Sequence, residues 1–119
     1  MRAHHTILVV DDHPPTLYAA SKLMVKAGFQ VLQASNAEDA LQLADQASAL
    51  LLDVNLPDLN GVAVCRTVKM RSNKPVAMMS AVYIDELHRD AAMQAGADVY
   101  FVQPIDGDRV ASEFDRLLA

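Results

Sequence analysis

Four short runs of apolar residues constrain the fold of this chain more than any other feature of its sequence. They are Ile7 to Val10, Ala49 to Leu52, Val76 to Met79 and Val99 to Val102. Each run is too short for a helix and lacks the alternation that a strand with one solvated face shows. The runs therefore predict strands covered on both faces, as in a parallel sheet packed between helices. A fifth, less regular strand is predicted at Gln30 to Ala34, at an edge of the sheet.

Segments of helical length separate the predicted strands and carry residues that typically start or end helices. The first helix is predicted to begin at Pro14 and Pro15 and to end at about Gly28. The second is predicted to follow Ser35, which has the spacing of a capping box with Glu38. The other three are predicted from Gly61 to about Met70, from Asp85 to Ala95 and from Asp106 to Leu118. Strand and helix thus alternate five times, which requires parallel strands joined by right-handed crossovers. The predicted fold is α/β and flavodoxin-like: a doubly wound five-stranded parallel sheet of order 2-1-3-4-5 with five helices, in three layers.

The composition fits one folded domain, and we expect residues 1–119 to form it, with a core at about 6–118. A hydrophobic fraction of 52% excludes a disordered chain. The single cysteine, Cys65, has no partner in the chain, and the N-terminus lacks the apolar segment of a secretory signal, so a cytoplasmic location is expected. No apolar run approaches membrane-spanning length, and a formal charge of -5 argues against direct nucleic-acid binding.

Three carboxylates follow two strands that are neighbours in the predicted sheet. Asp11 and Asp12 come directly after the first strand, and Asp53 comes directly after the third. Ligands of such sheets bind beyond the carboxyl ends of the strands, at the switch in strand order, which falls between these two. Carboxylates brought together repel unless they hold a cation, and an all-oxygen set suits Mg²⁺ or Mn²⁺. The main-chain carbonyl of Asn55 can supply a further oxygen.

Asp53 is the candidate nucleophile of this cluster. It is alone on its strand and precedes the PDLNG loop, whereas Asp11 and Asp12 form a pair suited to hold the metal. A carboxylate in this position can attack phosphorus and form an acyl phosphate. The alternative is structural, because a single aspartate at a strand end is commonly a helix cap or a loop residue. Two strands that end in aspartate at the switch point favour the functional interpretation.

The chain resembles the receiver domain of two-component response regulators over nearly its whole length, from about residue 6 to 118. The resemblance rests on VVDDHP, LLLDVNLPDLNG, MMSA and GADVYFVQP and on the spacing between them. It implies that Asp53 is the phosphoacceptor and that Asp11 and Asp12 bind Mg²⁺. It also implies that the main-chain carbonyl of Asn55 is a metal ligand.

The resemblance further implies a conformational switch. Ser80 matches the hydroxyl residue that bonds the phosphoryl group, Ala81 matches its small neighbour, and Tyr100 matches the aromatic residue whose rotamer follows Ser80. In such domains, phosphorylation reshapes the face made by the fourth helix, the fifth strand and the fifth helix. Without the resemblance, a helix cap and a packing residue are the simpler interpretations of Ser80 and Tyr100.

One position departs from the family pattern. The family has a lysine before the proline that follows the last strand, and this chain has Gln103 ahead of Pro104. A lysine would donate a charge-assisted hydrogen bond worth about 1.5 to 3 kcal/mol, against about 1 kcal/mol for a neutral amide. We therefore expect slow phosphorylation of Asp53 and a weakly driven switch. The family's cis peptide before this proline is expected to persist, because nothing about glutamine forbids it.

The leading functional interpretation is a signalling module. It would take a phosphoryl group from a histidine kinase or a histidine phosphotransfer protein and control an effector or a fused output domain. It would catalyse only its own phosphorylation and dephosphorylation. A degenerate receiver that binds partners independently of phosphorylation is the alternative that Gln103 motivates. A small aspartyl phosphatase is a third interpretation, opposed by Asn55 at the position where that chemistry needs a second acid.

A homodimer is possible, and the sequence does not distinguish a stand-alone receiver from a piece of a longer regulator or hybrid kinase.

Overall fold

The computed structural model describes residues 1–80 and 86–119. Five parallel strands form one sheet in the order β2-β1-β3-β4-β5, as predicted. The strands are β1 (Thr6–Val10), β2 (Gln30–Ala34), β3 (Ala49–Asp53), β4 (Val76–Ser80) and β5 (Val99–Val102). The predicted strands lie within these bounds. The observed β1, β3 and β4 are each one residue longer than predicted.

Each of the five strands is followed by an α-helix in the part of the chain that the structure describes, so the predicted α/β alternation is confirmed. These helices are α1 (Pro14–Lys26), α2 (Ala37–Leu43), α3 (Gly61–Arg71), α4 (Glu86–Gln94) and α5 (Gly107–Leu118). Short 3-10 turns lie at Arg2–His4 and Ala44–Gln46. The predicted first residue of the fourth helix, Asp85, lies outside the described residues.

The predicted start of the second helix was wrong by one residue. Asn36, not Ser35, caps α2, and its side-chain oxygen accepts a hydrogen bond from the main-chain N–H of Asp39 at 2.8 Å. Asparagine and serine are equally good caps, so local preference does not separate the two positions. The N–H groups of Ala37 and Glu38 are instead bound by the side chain of Asp58, which lies 21 and 20 residues further along the chain.

Two hydrophobic clusters cover the two faces of the sheet and give the three layers. Alternate residues of the central strands point to opposite sides, so that Leu50 and Leu52 pack towards α2, α3 and α4, while Leu51 packs towards α1 and α5. Every residue of β3 and β4 is buried. Burial on both faces explains why these strands lack alternation in the sequence.

Cys65 lies in the first of these clusters and is fully buried. Burial raises the pKa of its thiol to about 11, so the reactive thiolate is disfavoured at neutral pH. Among the described residues, no helix is long and apolar enough to cross a membrane.

Candidate functional site

The two central strands deliver three carboxylates to one place. Val10, the last residue of β1, pairs with Leu52 of β3, so the next residues along each strand, Asp11 and Asp53, emerge together at the carboxyl edge of the sheet. Asp12 follows, and single oxygens of the three side chains lie within 4.8 Å of one another. Asp11 and Asp53 are buried, and Asp12 is exposed. The structure therefore brings together the three aspartates that the sequence singled out.

The environment of Asp53 disfavours its charged form. Burial raises the pKa of its carboxyl group to about 7, and the neighbouring carboxylates of Asp11 and, to a smaller extent, Asp12 act in the same direction. The polar main-chain N–H groups of Asn55 and Val54 act in the opposite direction and lower this pKa. A bound cation would reverse the repulsion, because it stabilises the ionised form of each carboxyl group that contacts it.

The donor set fits a hard divalent cation such as Mg²⁺. Three carboxylates from two strands converge, one of them open to solvent, which leaves room for the waters that Mg²⁺ retains. Asn55 is exposed, and its main chain lies next to the site, since it is two residues beyond Asp53. The role of the Asn55 carbonyl as a ligand remains a prediction.

Gln103 reaches the same cluster from the end of β5. Its side-chain nitrogen Nε2 lies 3.3 Å from Oδ2 of Asp11 and 3.3 Å from the sulfur of Met79. Its main-chain N–H donates to the carbonyl of Ser80 at 2.8 Å, and its peptide bond to Pro104 is cis, as expected. The other oxygen of Asp11 accepts a hydrogen bond from the main-chain N–H of His13 at 2.9 Å. Gln103 thus places a neutral donor, rather than a cation, against a buried carboxylate.

The loop between β3 and α3, residues 54–60, closes tightly over the end of β3. The N–H of Gly61 donates to the carbonyl of Val54 at 2.7 Å, and Asn55 forms an isolated bridge with Asn60. A side chain at position 61 would collide with the main-chain oxygen of Asp53, which explains the glycine there.

Asp58, at the tip of this loop, is a residue that the sequence analysis did not single out. Its two carboxylate oxygens accept hydrogen bonds from the main-chain N–H groups of Ala37 and Glu38 at 2.8 and 3.0 Å. These partners belong to the start of α2. No local pattern in the sequence relates the loop to that helix, so the contact could not be predicted from residue spacing.

The predicted switch residues lie on β4, which is next to β3 in the sheet, and on β5, the edge strand beyond it. Ser80 ends β4, is buried, and pairs with Val102 of β5. Tyr100 is half-buried and packs against the cluster beneath α3 and α4. Ala81 lies outside the described residues. Their roles in switching remain predictions.

Comparison with known proteins identifies the same family. A family model, the response regulator receiver domain, matches residues 7–115. A cyclic di-GMP phosphodiesterase of Thermotoga maritima is 30% identical over 85% of this chain and 27% of its own length. The Probable transcriptional regulator ycf27 of Cyanidium caldarium is 29% identical over 98% of this chain and 47% of its own length. The chain thus spans less than half the length of either curated relative.

Solved structures agree with the fold. The BeF3-activated DrrB receiver domain has 27% identity and a TM-score of 0.87, with 96% of this chain and 97% of that chain covered. A CheY-like response regulator receiver domain protein from Methanospirillum hungatei JF-1 has 23% identity and a TM-score of 0.85, covering 96% and 93% of the two chains. The second likeness is evidence for the fold alone.

Proposed function

The chain belongs to the response regulator receiver domain family of two-component systems, and from this premise we propose that it accepts a phosphoryl group on Asp53 with the help of Mg²⁺. Members of this family are regulatory proteins that interact with histidine kinases or phosphotransfer proteins and with effector domains. We further propose that residues 1–119 form a single receiver domain that acts in the cytoplasm.

The observation that carries the proposal is the convergence of Asp11, Asp12 and Asp53. An oxygen of Asp53 attacks the phosphorus of a phosphohistidine, the P–N bond breaks, and the imidazole nitrogen leaves with the bonding electrons and takes a proton. The N–H of Asn55, two residues beyond Asp53, would orient the attacking carboxylate, and Asp11 and Asp12 would hold the metal. When bound, Mg²⁺ would offset negative charge on the carboxylates and on the phosphoryl oxygens.

Gln103 is expected to make this phosphorylation slow. Its amide donates to Asp11, and it brings no positive charge to a site that must receive an anionic phosphoryl group. A neutral donor stabilises such a group less than a charged one does. We propose that Asp53 is phosphorylated slowly and that the conformational response is weakly driven.

The proposed response involves Ser80, with Ala81 beside it, and Tyr100. Ser80 lies at the carboxyl end of β4, and the neighbouring β3 ends in Asp53, so the hydroxyl is at the edge of the sheet where the phosphoryl group would form. Movement of this hydroxyl would alter the face formed by α4, β5 and α5. That face would then bind an effector, a fused output domain or a second copy of the chain.

A degenerate receiver that binds its partner without phosphorylation is the second candidate, and the contact between Gln103 and Asp11 favours it. The amide already occupies one oxygen of a proposed metal ligand. In this case partner affinity would be the same for the native chain and for Asp53→Ala.

Intact mass after incubation with Mg²⁺ and acetyl phosphate separates the two candidates. A Mg²⁺-dependent phosphoryl adduct that is absent from Asp53→Asn would support the phosphoacceptor. An adduct seen with Gln103→Lys but not with the native chain would support the degenerate module. No adduct with either chain would contradict the proposed function.

A further inference from the structure

Asp58 makes hydrogen bonds that join the loop beside the phosphoacceptor to a different part of the chain. Oδ1 of Asp58 accepts from the N–H of Ala37 at 2.8 Å, and Oδ2 accepts from the N–H of Glu38 at 3.0 Å. The N–H of Leu59 lies 3.2 Å from Oδ1. These donors lower the pKa of the Asp58 carboxyl group below its usual value, as N–H groups that face a charged carboxylate do.

The rest of the loop is held mostly by its own atoms. Gly61 bonds back to Val54, Asn55 pairs with Asn60, and the side chain of Asn60 accepts from the N–H of Val62 at 2.8 Å. These contacts set the shape of the loop but do not attach its tip to the neighbouring layer. Among the hydrogen bonds of the described residues, those of Asp58 make that attachment.

The helix to which Asp58 is bound is a firm anchor. Ala37 and Ala40 of α2 are fully buried in the core. Towards the end of α2, Arg71 donates to the carbonyl of Leu41 at 3.2 Å. Just after the 3-10 turn that follows α2, the ammonium group of Lys74 donates to the carbonyl of Ala47 at 2.9 Å. Because both ends are tied, the N–H groups at the start of α2 have a fixed position relative to the sheet.

The near end of the same loop adjoins the reacting residue, because Asn55 lies two residues beyond Asp53 and its bridge with Asn60 closes the loop where Gly61 packs against the main-chain oxygen of Asp53. Only two residues separate Asn55 from Asp58, so a displacement of the loop tip is transmitted to the Asn55 peptide unit. We propose that Asp58 is a positioning residue of the phosphoacceptor site, which holds the main chain of Asn55 against Asp53 and in reach of a bound Mg²⁺. This inference rests on the proposed function for its metal and phosphoryl consequences.

The competing explanation is that Asp58 only caps α2, and the chain contains a matched control for it. Asn36 also caps α2, through the N–H of Asp39, and its hydrogen bonds do not involve the loop. Loss of either side chain removes a cap and lowers the stability of the helix. Only the loss of Asp58 would free the loop.

The test compares Asp58→Ala, Asp58→Asn and Asn36→Ala with the native 119-residue chain. Hydrogen exchange of the Asn55 and Gly61 amides is measured by NMR in metal-free protein, and Mg²⁺ affinity is measured by calorimetry. We expect faster exchange of both amides and a Mg²⁺ affinity about threefold to tenfold weaker in Asp58→Ala, but neither effect in Asn36→Ala. Asp58→Asn should be intermediate, because its amide oxygen can accept one of the two bonds.

The inference is wrong if Asp58→Ala and Asn36→Ala lose similar stability and leave the two amides and the Mg²⁺ affinity unchanged. If the native chain binds no Mg²⁺, the proposed function fails. In that case the exchange rates in metal-free protein still decide whether Asp58 positions the loop.

Discussion

The side-chain amide of Gln103 donates to the carboxylate of Asp11 at 3.3 Å, across 92 residues of sequence. This contact joins the end of β5 to the end of β1, with Met79 of β4 beneath it. Gln103, which stands where the resemblance to receiver domains predicts a lysine, is therefore in direct contact with the acidic cluster, and its substitution bears on the chemistry proposed there.

Replacing Gln103 with lysine should speed phosphorylation of Asp53. The added charge faces Asp11 and would strengthen the interaction with an incoming phosphoryl group by about 1.4 kcal/mol, which corresponds to about tenfold in rate. Phosphorylation is followed by intact mass against time with acetyl phosphate and Mg²⁺. Gln103→Met keeps the length of the side chain without a donor and should not be accelerated. Equal rates for native chain and Gln103→Lys would contradict the role assigned to this position.

Asp53→Asn should stabilise the metal-free protein at alkaline pH. The pKa of Asp53 is about 7 in the folded protein and about 3.8 when unfolded, so the folded state holds the proton more tightly. Stability from this group is therefore present below pH 3.8 and declines as the pH rises to about 7. We expect the free energy of unfolding of Asp53→Asn to exceed that of the native chain by about 1 to 2 kcal/mol at pH 8, after allowance for solvent screening.

The measurement for this prediction is urea unfolding with a chelator present, at pH 8 and again at the lowest pH at which the fold survives. The difference between the two proteins should shrink as the pH falls. Asp45→Asn is the control, because Asp45 is an exposed carboxylate in the 3-10 turn that precedes β3. If the native chain is as stable as Asp53→Asn at pH 8, ionisation of Asp53 does not lower the free energy of unfolding and the prediction is wrong.

Removal of Asp12 should weaken Mg²⁺ binding with little effect on the fold. Asp12 is exposed, yet one of its oxygens belongs to the cluster. We expect Asp12→Ala to bind Mg²⁺ at least about tenfold more weakly, because a charged ligand is lost. Calorimetric titration gives the affinity, and the melting temperature in chelator reports the fold. The outcome that contradicts the metal site is an unchanged affinity in Asp12→Ala, with Asp45→Ala as the charge-matched reference.

Gly61→Ala should destabilise the protein far more than Gly107→Ala, although each glycine is the first residue of its helix. A methyl group at position 61 would meet the main chain of Asp53 and would lie 2.9 Å from the Cα of Val54, and neither can move without distorting the end of β3. At position 107 the nearest atoms belong to the flexible side chain of Leu23, at 3.1 Å. We expect losses of about 1 to 3 kcal/mol and well under 1 kcal/mol respectively, measured by denaturant unfolding. Similar losses would show that the loop is not so tightly packed.

The sequence by itself determined the fold and the place of the site. Short apolar runs without alternation indicate strands buried on both faces, and helical segments between them leave parallel pairing as the arrangement that buries all of them. Parallel strands end at the same edge of the sheet, so residues such as Asp11 and Asp53, each next to a predicted strand, must meet there. These conclusions depend on local patterns and on topology, both of which a sequence displays directly.

The tertiary structure alone decided how the site is held and how it is charged. The contact of Gln103 with Asp11 and that of Asp58 with the start of α2 join segments 92 and 21 residues apart. Such contacts depend on side-chain directions that no spacing rule encodes. The contact of Asp58 with the N–H groups of Ala37 and Glu38 helps to explain why Asn36, and not Ser35, caps α2. The raised pKa of Asp53 likewise follows from burial and from neighbouring charges, which exist only once the chain has folded.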